Sequence, residues 1–500
     1  MTETSLPQLS GRLVETLRTR NPDNLELPSQ AMLTAPERIL QFGTGNFLRG
    51  FIEDFVQASN NAGHFSGRVV SVQRKRDFRS DASQRQDGLY TLLLRGAEGD
   101  KVNEIKRVIG TVSRNLSAED EWEKISEVAV NPSTKVIVSN VTEAGLVPDT
   151  SDRLETVPRG FPGKLVRLLW ERWQAARGVD AEIAIIPCEL VENNGSVVRD
   201  LLLKQAGTWN LAPAFLEWLA TEVHYANTLV DRIVVGAPAP SSLELEWSRL
   251  GYRDDLLNCA EPFYLFGLEA DEFTRRHFPM DRASPNVRFV EDLTPYRLQK
   301  LRILNGPHTV LAAVGRLLGL ETVREAVGDP HLGPFIEELT RAEMIPTLAA
   351  PHEASHLYAT EVLQRFRNPF VEHKLLAICL NCSTKVGVRL YPSLREYCAH
   401  KGTLPERLIL GLAAVTMVLL DPEVKDTHGE QVRELWAQTV PRSRQSLTSF
   451  ARDVLERYAT WSGEEIPANA IAPSLGDLLC KVSDRGIRPI LEEWPLPIRP

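Results

Sequence analysis

Residues 38–50 read Arg-Ile-Leu-Gln-Phe-Gly-Thr-Gly-Asn-Phe-Leu-Arg-Gly, and they decide the first half of the fold. Residues 38–42 form a short apolar run of the kind that makes a buried strand. The chain then enters Gly43-Thr44-Gly45, and a helical pattern follows through Phe51, Phe55 and Val56. A strand, a Gly-x-Gly turn and a helix make the front of a dinucleotide-binding unit. The first glycine permits the tight turn, and the second lets the backbone approach a pyrophosphate. The helix N-terminus supplies amide donors and a favourable dipole. The third glycine of the usual pattern is missing, and Leu48 stands in its place.

Outward from that turn, residues 68–73 (Arg-Val-Val-Ser-Val-Gln), 135–140 (Lys-Val-Ile-Val-Ser-Asn) and 183–188 (Ile-Ala-Ile-Ile-Pro-Cys) read as further strands. Residues 121–130 and 165–176 read as the helices between them. Strands that are apolar on both faces and alternate with helices predict a parallel sheet covered on both sides. An acidic residue after the second strand would bind the adenosine ribose of NAD. Here Gln73-Arg74-Lys75-Arg76 stands there instead, compatible with the 2′-phosphate of NADP or with a solvated basic turn. Near residue 290 the pattern changes to helical spacing (Leu301, Leu304, Val310, Leu311, Val314). The expected organisation is a loosely held lead-in at 1–34, a Rossmann-type α/β domain at 35–290, and a mostly helical domain at 291–500.

Composition limits the function. The chain has 500 residues, 43% hydrophobic and 25% charged, which is ordinary globular usage. A net charge of −9 gives no reason to expect nucleic acid. No apolar run is long enough to span a bilayer and the N-terminus lacks a secretory pattern, so a cytoplasmic protein is expected, without membrane partners. Six cysteines are too few for a disulfide framework, and the lone Cys379-x-x-Cys382 lacks the second pair that a metal site needs. No metal is expected.

Residues 300–308, Lys-Leu-Arg-Ile-Leu-Asn-Gly-Pro-His, put Lys300, Asn305 and His308 into an otherwise apolar helical stretch. At about 100° per residue they fall at roughly 0°, 140° and 80° around a helix, on one broad face. Pro307 lacks an amide hydrogen and disfavours a helical Gly306, which predicts a kink or break there.

Several motifs occur in order: Gly43-x-Gly45-Asn46-Phe47-x-Arg49, Thr142-Glu143-Ala144-Gly145, Val230-Asp231-Arg232-Ile233, Lys300-x4-Asn305-Gly306-x-His308, and Arg365-Phe366-Arg367-Asn368-Pro369 followed by His373 and Lys385. With them the chain resembles the mannitol dehydrogenase family of polyol and sugar-acid dehydrogenases. The resemblance implies a metal-independent oxidoreductase acting on a small sugar-derived substrate, with NAD rather than NADP as its cofactor. It implies catalytic roles for Lys300 as proton donor, Asn194 and Asn305 as oxyanion donors, and His308 as support. Cofactor contacts are implied for Phe42, Gly43, Thr44, Gly45, Asn46, Phe47 and Arg49, then for Gln73, Arg74, Asn140, Thr142 and Glu143. Asp231 and Lys385 are implied at the substrate. Polyol members read Cys-Asp-Asn where this chain has Cys188-Glu189-Leu190, so a sugar acid fits better than a polyol. Its carboxylate calls for a cation, and Arg297, Lys385 and Arg389 are the candidates. A dinucleotide-sensing protein without turnover is the alternative of another class.

Overall fold

The strands at the centre of the first half are almost wholly buried, because Val, Ile and Leu occupy both of their faces. In a computed structural model, which describes residues 6–20, 22, 24–98, 101–176, 180–349, 352–370 and 373–494, six of them form one parallel sheet. They are β1 (Glu37–Phe42), β2 (Arg68–Gln73), β3 (Val112–Ser117), β4 (Val136–Ser139), β5 (Ile183–Pro187) and β6 (Val223–Tyr225). Their order is β3-β2-β1-β4-β5-β6, with Leu40 opposite both Val70 and Ile137, and Ile137 opposite Ile185. This is the doubly wound order, whose reversal between β1 and β4 opens a crevice at the carboxyl ends of the strands.

Successive residues serve opposite faces. Leu40, Phe42, Val70, Val72 and Ile137 pack under the helices Trp122–Val130 and Phe161–Ala176. Ile39, Val69, Val136 and Val138 pack with Phe51, Phe55 and Val56 on the other side. Two sheets that were not read from the sequence complete this unit. One contains Tyr90–Glu98, Lys101–Ile109 and three strands of two or three residues; the other contains Asn227–Asp231, Leu265–Glu269 and Val287–Val290. The N-terminal segment is not a loose lead-in: Gly11–Arg20 is a helix, and its Val14 and Leu17 are buried with Leu9, Leu89 and Tyr252.

The first compact unit closes at Leu293; the second opens at Thr294 and also takes residues 96–101. The second is helical. Its central helix, Gly306–Leu317, packs on Glu406–Val418 so closely that a Cβ on Gly411 would lie 2.6 Å from Val310. No break occurs at Pro307. Helix Thr294–Gln299 continues as a π-helical turn over Lys300–Asn305 and then as the α-helix Gly306–Leu317. The Gly306 amide bonds to the Leu301 carbonyl, five residues back. In a regular α-helix the Pro307 ring would clash with the carbonyl four residues before it; the wider turn relieves that clash. Among the described residues no helix is long and apolar enough to cross a membrane.

Candidate active site

The crevice of the first unit is a cleft of about 590 Å³. It brings together six of the residues expected at a cofactor: Phe42, Gly43, Thr44, Gln73, Arg74 and Thr142. Gly43 has φ +119°, and a Cβ there would press on the Asn140 carbonyl and on Leu48, both at 3.2 Å. A Cβ on Gly45 would meet nothing within 4 Å, so the backbone of the turn is open to an approaching phosphate. Both glycines fit a dinucleotide. Leu48 fills the space beside Gly43, and the close approach falls at Gly50 instead, where a Cβ would lie 2.9 Å from Val234.

Other expected cofactor residues hold the fold. Arg49 is buried and turned inward: it donates to the Leu256 carbonyl (2.6 Å) and to Asn46 Oδ1 (2.8 Å), and lies over the Tyr90 ring. Phe47 stacks on Phe51 at 4.8 Å. Asn140 donates its side-chain amide to the Cys188 carbonyl (2.7 Å), tying the end of β4 to the end of β5. Gln73 receives the Thr44 hydroxyl at 3.3 Å and donates to the Lys75 carbonyl at 2.8 Å. Glu143 opens a short 3-10 turn, but its side chain lies outside the described residues.

Asn194 corrects the sequence expectation. It is 1% exposed at the start of helix Asn194–Thr208. Its amide nitrogen lies 2.9 Å from Thr228 Oγ1 and 3.1 Å from the carbonyls of Pro187 and Glu189. Its oxygen accepts from the amides of Gly195 (2.9 Å) and Thr228 (2.8 Å). No donor is left for an oxyanion; Asn194 locks the loop after β5 to the neighbouring strand. Asp231 is buried at the end of Asn227–Asp231. The next residue, Arg232, bonds to Asp54 Oδ2 (2.8 Å) and the Gly50 carbonyl (2.9 Å). Glu189 is also buried, with one oxygen on the Val141 amide, and burial raises its pKa.

In the second unit Lys300, half-buried, starts the π turn. Arg302 anchors that turn through a two-pronged ion pair with Glu396 (2.6 and 2.7 Å). Asn305 gives its carbonyl to the Thr309 hydroxyl (2.9 Å), while its side-chain amide makes no hydrogen bond among the described residues. His308 stacks on Phe366 (4.8 Å) and stands edge-on to His373 (4.9 Å), and its buried Nε2 has no hydrogen-bond partner among the described residues. Burial, helped by His373, Arg389, Arg365 and Lys385, holds the His308 pKa well below the usual imidazole value, so the ring is neutral. Arg389, half-buried, donates to Thr309 Oγ1 at 3.1 Å, and Lys385 donates to the Ile378 carbonyl at 2.8 Å. Burial lowers both pKa values, that of Arg389 to about 10. Neither cation is paired with a carboxylate among the described residues.

Arg297 lies one turn before Lys300, in Thr294–Gln299. His373 and Arg365 were visible only as parts of a motif; nothing in their spacing placed them beside His308. Cys379 and Cys382 are buried free thiols, with Cys379 pushed up to about 11 by burial. No cluster of side chains able to hold a metal occurs among the described residues.

Residues 37–282 match the mannitol dehydrogenase Rossmann domain, and residues 292–470 the mannitol dehydrogenase C-terminal domain. An altronate oxidoreductase of Bacillus subtilis (strain 168) is 38% identical over 467 residues, covering 92% of this chain and 95% of its own. One from Cronobacter sakazakii is 42% identical over 385 residues, covering 76% and 79%. A mannitol 2-dehydrogenase of Pseudomonas fluorescens, solved as a ternary complex with NAD and D-mannitol, shares the fold. Its TM-score is 0.72 at 23% identity, covering 97% of this chain and 99% of its own. With both domains matched in order and a relative 38% identical along 92% of it, this chain belongs to the mannitol dehydrogenase family.

Proposed function

We propose that the chain is an NAD-dependent altronate oxidoreductase, interconverting D-altronate and D-tagaturonate in the hexuronate catabolism of the cytoplasm. The name comes from relatives that align along most of the chain, and NAD from the mannitol 2-dehydrogenase complex. The observation that carries the sugar-acid reading is the charge around His308. Arg389 and Lys385 are partly withdrawn from water with no carboxylate partner among the described residues. A buried cation without a counter-ion is unfavourable, and a substrate carboxylate removes that penalty. A neutral polyol offers no such group.

When bound, the dinucleotide supplies the hydride that reduces the keto carbon. Lys300 supplies the proton: its N–H bond breaks as the new O–H bond forms, and in alcohol oxidation the same transfer runs backwards. Asn305 keeps its amide hydrogens for a ligand and stabilises the charge growing on that oxygen. Asn194 leaves the set of oxyanion donors. Neutral His308 orients an adjacent hydroxyl, and Asp231 takes another. Arg389 and Lys385 read the carboxylate, with Arg297 a third candidate.

The test is to follow NADH absorbance with tagaturonate, fructuronate and fructose, using wild type and Lys300→Met. Tagaturonate turnover lost by about 10²–10⁴-fold in Lys300→Met is expected, the usual contribution of a general acid. Turnover of fructose without tagaturonate would make the chain a polyol enzyme, and preference for fructuronate would shift the acid. NADH binding without any turnover would make it a sensor.

A further inference from the structure

The adenosine end of the cleft carries charge that the NAD reading does not use. Three cations line the cleft, Arg74, Arg159 and Lys164, against one carboxylate, Asp149. Among the described lining residues that leaves two positive charges in excess, one of them, Arg74, held by Glu119 from outside the lining. Asp149 already accepts from the Ser151 amide and hydroxyl.

In doubly wound folds the adenosine ribose lies at the end of the second strand, where an acid binds its hydroxyls and repels a 2′-phosphate. Here β2 ends in Gln73, a neutral amide folded back on its own turn. Arg74 follows, with its side chain 70% exposed and paired only with exposed Glu119 at 3.3 Å. A surface pair of that kind contributes little and exchanges readily for a stronger anion. Lys164 comes from the first turn of Phe161–Ala176 and is 7% exposed. Its amine donates to the Arg159 carbonyl and has no ion-pair partner among the described residues. Burial, with Arg74 and Arg159 adding to it, lowers its pKa, while buried Asp152 opposes them. Asp152 itself caps the amides of Arg159 and Gly160 (2.6 and 2.9 Å).

We infer that this cleft accepts a 2′-phosphorylated dinucleotide, with Arg74 and Lys164 as the residues that admit NADP(H) beside NAD(H). The inference rests on the proposed dinucleotide-dependent reduction. It adds that the ribose end does not select against the extra phosphate, because β2 itself ends in a neutral glutamine and the nearby Glu119 is engaged by Arg74.

The test uses the full chain and has two independent arms. In the first, calorimetry measures 2′,5′-ADP against 5′-AMP. The phosphorylated probe should bind about tenfold more tightly, and the difference should shrink at about 0.5 M salt, as screening of a charged contact requires. In the second, kcat/KM for NADPH and NADH is compared in wild type, Arg74→Ala, Lys164→Met and Gln73→Asp. The wild-type values should lie within about tenfold of each other. Each variant should lower the NADPH value about tenfold more than the NADH value. Equal binding of the two probes would overturn the inference. So would equal losses with both cofactors in Arg74→Ala and Lys164→Met, which would assign these cations to the pyrophosphate that NADH also carries. If the nucleotides bind but neither cofactor supports turnover of a keto acid, the proposed function fails, and the probe comparison still decides this inference.

Discussion

Replacing Arg389 by Met should make the protein more stable and less selective. Arg389 ends helix Cys382–Arg389, half-buried, with one hydrogen bond to Thr309 and no carboxylate paired with it among the described residues. Its pKa falls from 12.5 to about 10, and burial is the cause. At about 1.4 kcal/mol for each tenfold change in proton affinity, keeping that charge desolvated costs about 3 kcal/mol. Met keeps much of the apolar stem and removes the charge. It also loses the bond to Thr309, worth about 1 kcal/mol. The expected net gain is about 2 kcal/mol, or a rise of about 4–8 °C in the melting temperature of a unit of this size. Catalysis should move the other way. Removing one partner of a desolvated ion pair costs about 3–5 kcal/mol, so kcat/KM for altronate should fall by about 10²–10³-fold or more. For altritol, the same chain without a carboxylate, the loss should be about tenfold or less. Scanning calorimetry and initial rates of NAD reduction measure both. A lower melting temperature, or equal losses on altronate and altritol, would refute the assignment of Arg389 to the carboxylate.

Three further outcomes are expected. His308 is held neutral among His373, Arg389, Arg365, Lys385 and the Phe366 ring. With its folded pKa below the unfolded value, the unfolded chain takes up the proton first as pH falls below about 6.5, so stability drops there by at most about 1.4 kcal/mol per pH unit and is level above. The melting-temperature gap between wild type and His308→Asn should therefore narrow from pH 7 to pH 5, and a constant gap would remove His308 from this role. Gly45→Ala adds a Cβ with no neighbour within 4 Å, so thermal stability should hold while KM for the dinucleotide rises at least about tenfold; Gly43→Ala, at φ +119°, should instead destabilise by about 1 kcal/mol or more. Asn194→Ala strips partners from the Thr228 amide and the Pro187 and Glu189 carbonyls and should destabilise by about 3 kcal/mol. An Asn194→Ala protein that melts like wild type but does not turn over would restore Asn194 as an oxyanion donor.

The features read correctly from the sequence are the locally determined ones. β1 and the turn at Gly43 follow from an apolar run and two glycines, and β2 was delimited at both ends, because the reason for each lies within a few residues. Arg49 and Asn194 have partners that the sequence does not place, for the opposite reason. The Arg49 guanidinium is taken by the Leu256 carbonyl, 207 positions away, and the Asn194 amide by Thr228, 34 positions away. An Asn-Asn-Gly string is the same whether its amide faces a ligand or a backbone. The short strands Val234–Gly236 and Asn258–Ala260 were invisible because neither has a pattern of its own; they are strands only through each other and through Tyr90–Glu98.

The π turn follows from a proline that the sequence displays, and it changes where the polar residues lie around the helix. The angles assigned to Lys300, Asn305 and His308 assumed about 100° per residue, which sets positions 300 and 305 about 140° apart. In a turn closed from residue i to i+5, residues five apart are stacked as residues four apart are in an α-helix, so Lys300 and Asn305 share a narrower face than the sequence suggested. The cause is Pro307. A second π turn, Leu339–Met344, bears this out: it too ends two residues before a proline, Pro346, and the amide between them, on Ile345, bonds five residues back to Thr340. Both turns accommodate a proline that an α-helix would reject, and no expected site residue lies in the second. The π geometry at Lys300 is therefore no argument for catalysis. What singles out the first turn is what it carries: a lysine at its head, at its end an asparagine amide that makes no hydrogen bond among the described residues, and three residues on a neutral histidine near Arg389 and Lys385, neither of them paired with a carboxylate among the described residues.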